Sequence, residues 1–400
     1  MISRKLLALC FLCLIHGCHH NDRNYTGIIL IDANKKYPSL ALKLSDITEI
    51  SYIPLKSDNI IFGYTSASRA LFVYRDKIFI GDKISADPKL LVYDRNGTPI
   101  QTFGSYGRGP GEYMSINGFV VDTLANEVTL YDNTQKKLIV YDIDGKFRRE
   151  RSLWQIKQEQ DMLTDIEIIN DDYILVFNRN SLLVAERMEG RLMSTGKTMM
   201  IIDKQTLSEI PFHGVEYANA GYSSNVTVRN NLTTIDKGVY ITSERSDTIF
   251  FMNRNLEITP RFRDITDYKS NFKARLFPSM ETERYVLFST EKEAGTKTLE
   301  HPNPIPRKFF AYDKKKQLLF RLNDDLPEQD KEYNRAMNTI IKDKVALDQS
   351  FLTLNHDYAA TLLSPVFLLK YYMQLPKELK EVVKDIKEDD NPVVALYKFK

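Results

Sequence analysis

Cysteine is nearly absent from this chain, and all 3 of its cysteines, Cys10, Cys13 and Cys18, precede residue 19. The rest of the chain must stand on its core and on sheet closure, with no disulfide to constrain the unfolded state. Histidine is scarce too: after His20 only His213, His301 and His356 occur. None lies at metal-ligand spacing from another or from a cysteine, so no metal site and no cofactor are expected. An excess of one charge is also missing, since 55 Lys and Arg stand against 53 Asp and Glu. With no basic tract and no RNA-binding motif, nucleic acid is not an expected partner. The apolar run Leu6–Ile15 is too short to cross a bilayer, and no longer one comes after it. There is no Gly-x-Ser-x-Gly elbow, no sialidase-type Asp-box and no Gly-Lys-Ser/Thr, so no catalytic residue is assigned.

The start of the chain carries a clear signal. Arg4 and Lys5 precede Leu6–Ile15, the charged and hydrophobic regions of a secretory leader. The run closes on Ile15-His16-Gly17-Cys18, in which a small residue precedes a cysteine as in a lipobox. This predicts a signal peptide over 1–17, an acylated Cys18 at the mature N-terminus and a polar, lipidated tether over 18–39. An ordinary signal peptide cut elsewhere is the alternative. Loss of Arg4 and Lys5 leaves the mature chain close to neutral. The expected location is the cell envelope, at the outer membrane, facing the periplasm or the surface, with a lipid as the only attachment.

The remainder, 40–400, reads as one repeated β architecture. Between Phe103 and Asp144 a glycine-rich turn is followed by apolar runs at Phe119–Val121, Val128–Tyr131 and Leu138–Tyr141, with turn composition between them. A strand ending in Asp or Asn before a tight turn recurs at Leu91–Asp94, Ile139–Asp142, Met200–Asp203, Phe250–Asn253 and Phe310–Asp313. This is the outer hairpin of a four-stranded blade. A sixth blade is assembled from Phe351–Asn355, Tyr358–Leu363, Val393–Phe399 and the early strand near Ile47–Leu55, so that both chain ends share it and no sheet edge is left open at the closure. The fold class is all-β, a six-bladed β-propeller. Apolar residues at near-helical spacing over 365–390, interrupted at Pro376, predict one or two amphipathic helices near the C-terminus, and 328–344 is a weaker helical candidate.

Gly104, Gly107, Gly109, Pro110, Gly111 and Glu112, followed by Leu130-Tyr131-Asp132-Asn133 and the hairpin Val140-Tyr141-Asp142-x-Asp144-Gly145, resemble an NHL-type propeller repeat. Over nearly everything after the leader, up to Asp389-Asp390-Asn391-Pro392-Val393-Val394, the chain resembles the six-bladed β-propeller lipoproteins of Bacteroidota. The segment Pro260–Ile265 departs from that pattern, in which the strand tends to end in an Asp-Phe-Gly-like turn.

Candidate functional residues are few. Gly104–Glu112 has the glycine density of a phosphate cradle but opens no helix. It reads as a blade-to-blade turn that needs positive φ and close backbone approach. Arg108 and Glu112 either point into the axial channel or pair with each other to fix that turn, and the local pair is the expected arrangement. Asp94, Asp132, Asp142, Asp203 and Asp313 recur at strand ends, which suits turn capping better than the paired acid and base of a glycosidase. The long connections Pro211–Ser224 and Glu291–Arg307 are the expected binding surface. In the first, Phe212, His213, Tyr217 and Tyr222 can stack on a sugar or peptide, or pack against the next blade. Trp154, the single tryptophan, suits a blade core. These features leave two function classes: a lipid-anchored, non-catalytic binding or scaffold module for a peptide, glycan or protein partner, or a propeller hydrolase or lyase whose active site is assembled from several blades.

Overall fold

The apolar runs form strands buried on both faces, which is why they lack the alternation of a half-exposed sheet. Within Lys137–Asp142, Ile139 and Tyr141 turn to one core with Phe103, Phe119 and Val128, while Leu138 and Val140 turn to another with Ile166, Val176 and Met200. Each side chain so buried contributes about 1.5–3 kcal/mol.

The computed structural model describes residues 27–56, 71–82, 88–153, 163–178, 199–212, 230–235, 238–243, 246–267, 274–292, 307–326, 337–345, 352–353 and 358–400. Three strands come first: β1 (Ile29–Ile31), β2 (Ser39–Leu40) and β3 (Thr48–Pro54). Blade 1 is β4 (Leu71–Tyr74), β5 (Lys77–Asp82), β6 (Lys89–Asp94) and β7 (Pro99–Phe103). The glycine-rich connection carries β8 (Ser105–Tyr106) and β9 (Glu112–Tyr113), which pair parallel. Blade 2 is β10 (Gly118–Asp122), β11 (Glu127–Asp132), β12 (Lys137–Asp142) and β13 (Phe147–Ser152). Blade 3 is β14 (Leu163–Ile168), β15 (Tyr173–Asn178), β16 (Met199–Asp203) and β17 (Glu209–Ile210). Blade 4 is β18 (Asn230–Ile235), β19 (Gly238–Ser243), β20 (Thr248–Asn253) and β21 (Ile258–Asp264). Blade 5 is β22 (Ala274–Glu281), β23 (Tyr285–Lys292), β24 (Arg307–Asp313) and β25 (Leu318–Leu326). Blade 6 is β26 (Leu352–Thr353), β27 (Tyr358–Leu363), β28 (Val393–Phe399) and β3.

The protein is therefore a six-bladed β-propeller whose terminal strands share a blade. β28 and β3 pair antiparallel from Val393↔Pro54 to Phe399↔Thr48. The first strands of neighbouring blades touch one another, β4 with β10, β10 with β14, β14 with β18 and β18 with β22, which makes them the innermost layer around the axis. All five recurring hairpins are the third and fourth strands of a blade, as expected.

The tether expected over 18–39 is corrected from Ile29 onward. β1 pairs parallel with β21, Ile29↔Phe262 to Ile31↔Asp264, and β2 pairs parallel with β25. The outer edges of blades 4 and 5 offer unpaired backbone groups, and Ile31 is fully buried beside Phe262, Leu276 and Phe288. Tyr37 stacks edge-on against Phe310, at 5.9 Å between ring centroids. Lys308 Nζ donates to the Ala33 carbonyl at 2.9 Å and to Asn34 Oδ1 at 3.0 Å. The propeller's own structure thus begins before residue 40. Residues 18–26 lie outside the described residues. The departure at Pro260–Ile265 coincides with the strand that receives β1: Asp264 is buried, and its carboxylate accepts from Thr266 and from the Leu276 N–H.

Over 365–390 two short helices form, Pro365–Lys370 and Lys377–Val382, joined by a 3-10 turn at Tyr372–Gln374. Ser364 caps the first, its Oγ accepting from the Phe367 N–H at 3.3 Å, and Pro376 separates the two because its ring admits no continuing helical hydrogen bond. Phe367, Leu368, Leu375, Leu379 and Val383 share a core with Ile50 and Tyr52 of β3. Of 328–344, Met337–Ile341 forms a π-helical turn, and 328–336 lie outside the described residues.

Candidate functional site

Antiparallel pairing gives the ring two unlike ends. At one end lie the turns from first to second strand and from third to fourth, such as Asp122 to Glu127 and Asp142 to Phe147. These are short wherever a turn joins the two strands, and only β28 and β3 of blade 6, which come from opposite ends of the chain, have none. At the other end the second strand leads into the third and each first strand begins, as Gly118↔Tyr131 shows in blade 2. The chain's long connections lie there, among them Phe103 to Gly118, Ile210 to Asn230, Asn178 to Met199, Lys292 to Arg307 and Leu363 to Val393, beside short turns at Asp132 to Lys137 and Ser243 to Thr248. The two connections expected to bind, 211–224 and 291–307, join strands at this second end.

The short-turn end is committed to holding blades together. Between blades 1 and 2, Lys77 Nζ donates to the Ile143 carbonyl at 3.1 Å and pairs with Asp144 at 3.0 Å. Between blades 2 and 3, Lys204 forms a buried ion pair with Asp122. Between blades 3 and 4, Asn170 Nδ2 donates to the Arg254 carbonyl at 2.7 Å. Between blades 4 and 5, Tyr240 donates to Glu281 Oε2 at 2.7 Å, and Arg261 pairs with Glu281 at 3.6 Å. Between blades 6 and 1, the Arg95 guanidinium lies 5.3 Å above the Tyr358 ring centroid. A repeated seam of this kind leaves the long-connection end as the surface free to vary.

On that end the glycine-rich connection is tied down from both sides. Asp132, fully buried, accepts from the Met114 N–H at 2.6 Å, Ser115 Oγ at 2.7 Å, the Thr134 N–H at 2.9 Å and Gln135 Nε2 at 2.8 Å. Glu150 Oε2 accepts from the Gly111 N–H and from Lys137, each at 3.0 Å. Tyr141 donates to the Gly111 carbonyl at 2.8 Å. Gly104 (φ +62°) and Gly111 (φ +72°) adopt the left-handed conformation that the turn requires. The expected pair between Arg108 and Glu112 does not form. Glu112 Oε2 folds back to accept from the Gly109 N–H at 2.7 Å, while Arg108 Nε reaches Met114 Sδ at 3.1 Å. Gly107 and Gly109 have no Cβ, so the carboxylate reaches their backbone before it reaches the guanidinium.

Phe212 is half-buried and packs on the core that Ile169, Leu175, Ile201, Val239 and Met252 form between blades 3 and 4. His213, Tyr217 and Tyr222, and also Cys18, Trp154, His301 and His356, lie outside the described residues. The strand-end carboxylates behave as turn caps. Asp94 Oδ1 accepts from the Asn96 and Thr98 N–H groups, each at 2.8 Å, and the Thr98 bond leads in holding its carboxyl below the usual range. Asp203 is lowered by its bonds to Thr206. For Asp313, burial pushes up but the Lys316 N–H and Arg284 outweigh it.

The described side chains of the inner strands are mostly apolar, with Asp122 in β10, Glu167 in β14 and Ser279 and Glu281 in β22 as their polar members. Phe119, Val120 and Val121 in β10, Ile166 in β14, and Leu276, Phe277 and Met280 in β22 are all buried. The shifted titratable groups lie elsewhere: Tyr52, Tyr141 and Tyr240, raised chiefly by burial, and Lys308, lowered by it, sit on second, third or fourth strands. Among the described residues, no group of three or more His, Cys, Asp or Glu could hold a metal. Nor is any described helix long and apolar enough to cross a membrane, which says nothing of β-barrels.

Comparison with known proteins agrees with this architecture. A family described as "Domain of unknown function (DUF4934)" matches residues 28–398. Among solved structures, a protein described as exported from Bacteroides fragilis superposes with a TM-score of 0.62 at 16% identity, covering 93% of this chain and 99% of its own. A member of the DUF4221 family from Bacteroides vulgatus superposes with a TM-score of 0.55 at 12% identity, covering 92% of this chain and 99% of its own. No curated protein matches the sequence.

Proposed function

From the premise that the chain belongs to the DUF4934 family, we propose that it is a lipid-anchored, non-catalytic binding module of the cell envelope. Its partner is a peptide, glycan or protein held on the long-connection end of the ring. The observation that carries this reading is the contrast between the two ends, one consumed by inter-blade seams and the other given to long connections. The predominance of buried apolar side chains in the described inner strands, whose Asp122 and Glu281 are engaged across blade seams, supports binding over chemistry, because a propeller active site draws converging polar groups from those strands. The leader and lipobox-like Cys18, together with the similarity to a protein described as exported, support an envelope address. The NHL-like character of the repeat belongs to the same proposal.

The binding residues proposed are Phe212, His213, Tyr217 and Tyr222, with Arg108 and Glu112 in the connection from blade 1 to blade 2. Tyr217→Ala and Tyr222→Ala should keep the wild-type denaturant midpoint and lose the ligands that the parent captures on a peptide and glycan array. Early unfolding of both variants with capture intact would assign these aromatics to packing instead, since core aromatic truncation costs about 3–5 kcal/mol. For the anchor, Cys18→Ala should move the protein out of the membrane fraction. An unchanged fractionation, with no acyl chain on the wild type by mass spectrometry, contradicts that part of the proposal.

A further inference from the structure

The short parallel pair in the glycine-rich connection leaves one side of β8 unused. Ser105↔Glu112 and Tyr106↔Tyr113 set its register, and the Gly107 N–H reaches across to the Tyr113 carbonyl at 3.0 Å. In a parallel ladder that bond leaves the N–H and C=O of Tyr106 directed away from β9. Tyr106 is 49% exposed, so this backbone pair stands at an open strand edge. Two residues on, Arg108 is exposed, and among the described residues its one polar contact runs from Nε to Met114 Sδ, a weak acceptor. The acids around it are already engaged. Glu112 accepts from the Gly109 N–H, Glu150 from the Gly111 N–H and Lys137, and Asp132 from Met114, Ser115, Thr134 and Gln135. Of the nearby cations, Lys137 is bound to Glu150 and Lys136 to Asn133. The Arg108 guanidinium is thus an outward charge that no described carboxylate meets, on a turn that those same bonds hold in place before any ligand arrives.

We propose that this edge takes an extended peptide as an added strand, paired with the main chain of Tyr106, and that Arg108 forks onto a carboxylate two residues, about 7 Å, further along that peptide. The inference rests on the reading that the long-connection end meets the partner, and it narrows that partner to a peptide bearing an acid. The carboxylate comes from an Asp or Glu side chain or from the peptide's own C-terminus. A glycan fits less well, because it carries no alternating N–H and C=O groups at strand spacing to complete the edge. The ring already uses this kind of addition: β1 and β2 lay three and two residues along the open edges of blades 4 and 5.

The test uses the purified mature chain carrying Cys18→Ser on a positional-scanning pentapeptide array, with Asp, Glu, Asn, Gln or Lys fixed at each position in turn and the C-terminus either amidated or free. The parent should hold the acidic peptides at least about tenfold better than their amide counterparts. A preference that follows Asp and Glu assigns the carboxylate to a side chain, and one that follows the free C-terminus assigns it to the terminus. Arg108→Gln should level the difference, and Arg108→Lys should restore only part of it, because lysine lacks the planar fork. Arg108 faces solvent, so both variants should melt with the parent. N-methylation of the best acidic peptide, one backbone nitrogen at a time, should abolish binding at the position that pairs with Tyr106 while its carboxylate stays intact. Absence of peptide capture by the parent, an acid preference that Arg108→Gln keeps, or binding that every N-methylated peptide retains overturns the proposal. Capture lost in Tyr217→Ala but unchanged in Arg108→Gln, or capture of glycans alone, removes only this inference and leaves the binding end standing. Capture of neither peptides nor glycans by the parent removes both.

Discussion

Asp132 ties the glycine-rich connection to blade 2 through donors from two different parts of the chain, Met114 and Ser115 on one side and Thr134 and Gln135 on the other. Replacing it by Ala strands buried N–H groups, so Asp132→Ala should lose about 3–5 kcal/mol in urea unfolding, and Asp132→Asn less, since one acceptor survives. The caps at Asp94, Asp203 and Asp313 make a pH prediction with a definite sign. Their folded pKa values are lowered, so their contribution is present above the unfolded value of about 3.9 and is lost as pH falls through the folded values. Stability should hold from neutrality down to about pH 4 and fall below it, and Asp94→Asn with Asp203→Asn and Asp313→Asn should flatten that fall. Turn capping was legible because Asx turns are local in sequence. Asp132 read only as one more strand-end aspartate, since half of its donors come from the preceding connection. The absent Arg108 and Glu112 pair has a similar cause: charge spacing suggests ion pairs, while the missing Cβ atoms of Gly107 and Gly109 decide where the carboxylate goes.

Strand β28 is buried from Val393 through Tyr397 and pairs on both edges, with β27 and with β3. Deleting Val393–Lys400 should therefore abolish cooperative thermal unfolding, and a truncated chain with the wild-type melting profile would contradict the closure. The strap formed by β1 and β2 predicts a smaller loss. Ile31→Asp places a carboxylate in a buried apolar cluster beside Phe262 and Phe288 and should cost about 3 kcal/mol or more in denaturant unfolding. The hairpins and the closing pair could be anticipated, because each is an apolar run of strand length bounded by turn residues. The strap could not. Ile29–Ile31 and Ser39–Leu40 are too short to announce a strand, and their partners, Phe262–Asp264 and Arg321–Leu322, lie far along the chain in parallel register. A parallel pairing has no connecting turn to signal it. The helices of 365–390 were visible through their buried period, Phe367, Leu368, Leu375, Leu379 and Val383.

The ring as a whole is asymmetric because closed β-propellers need their blades stapled somewhere, and this one does so at the short-turn end, with Lys77, Lys204, Asn170 and Tyr240 reaching across successive seams. Gly97, at φ +73°, belongs to the closing seam, where a Cβ would overlap the Pro54 carbonyl. Gly97→Ala should accordingly destabilise the whole ring rather than one turn, seen as a lowered single transition. The central claim is that the opposite end meets the partner. The scarcity of cysteine makes that directly measurable, since a new thiol at Thr134, exposed in the turn before β12, or at Leu124, 70% exposed in the turn after β10, would report on one end each. Maleimide modification rates of Thr134→Cys and Leu124→Cys should be compared between the purified protein and intact envelopes. Both thiols should react freely when purified, and in envelopes the thiol at position 134 should be shielded while that at 124 reacts as before. Shielding at 124 with free reaction at 134 would put the partner on the stapled end and contradict the account.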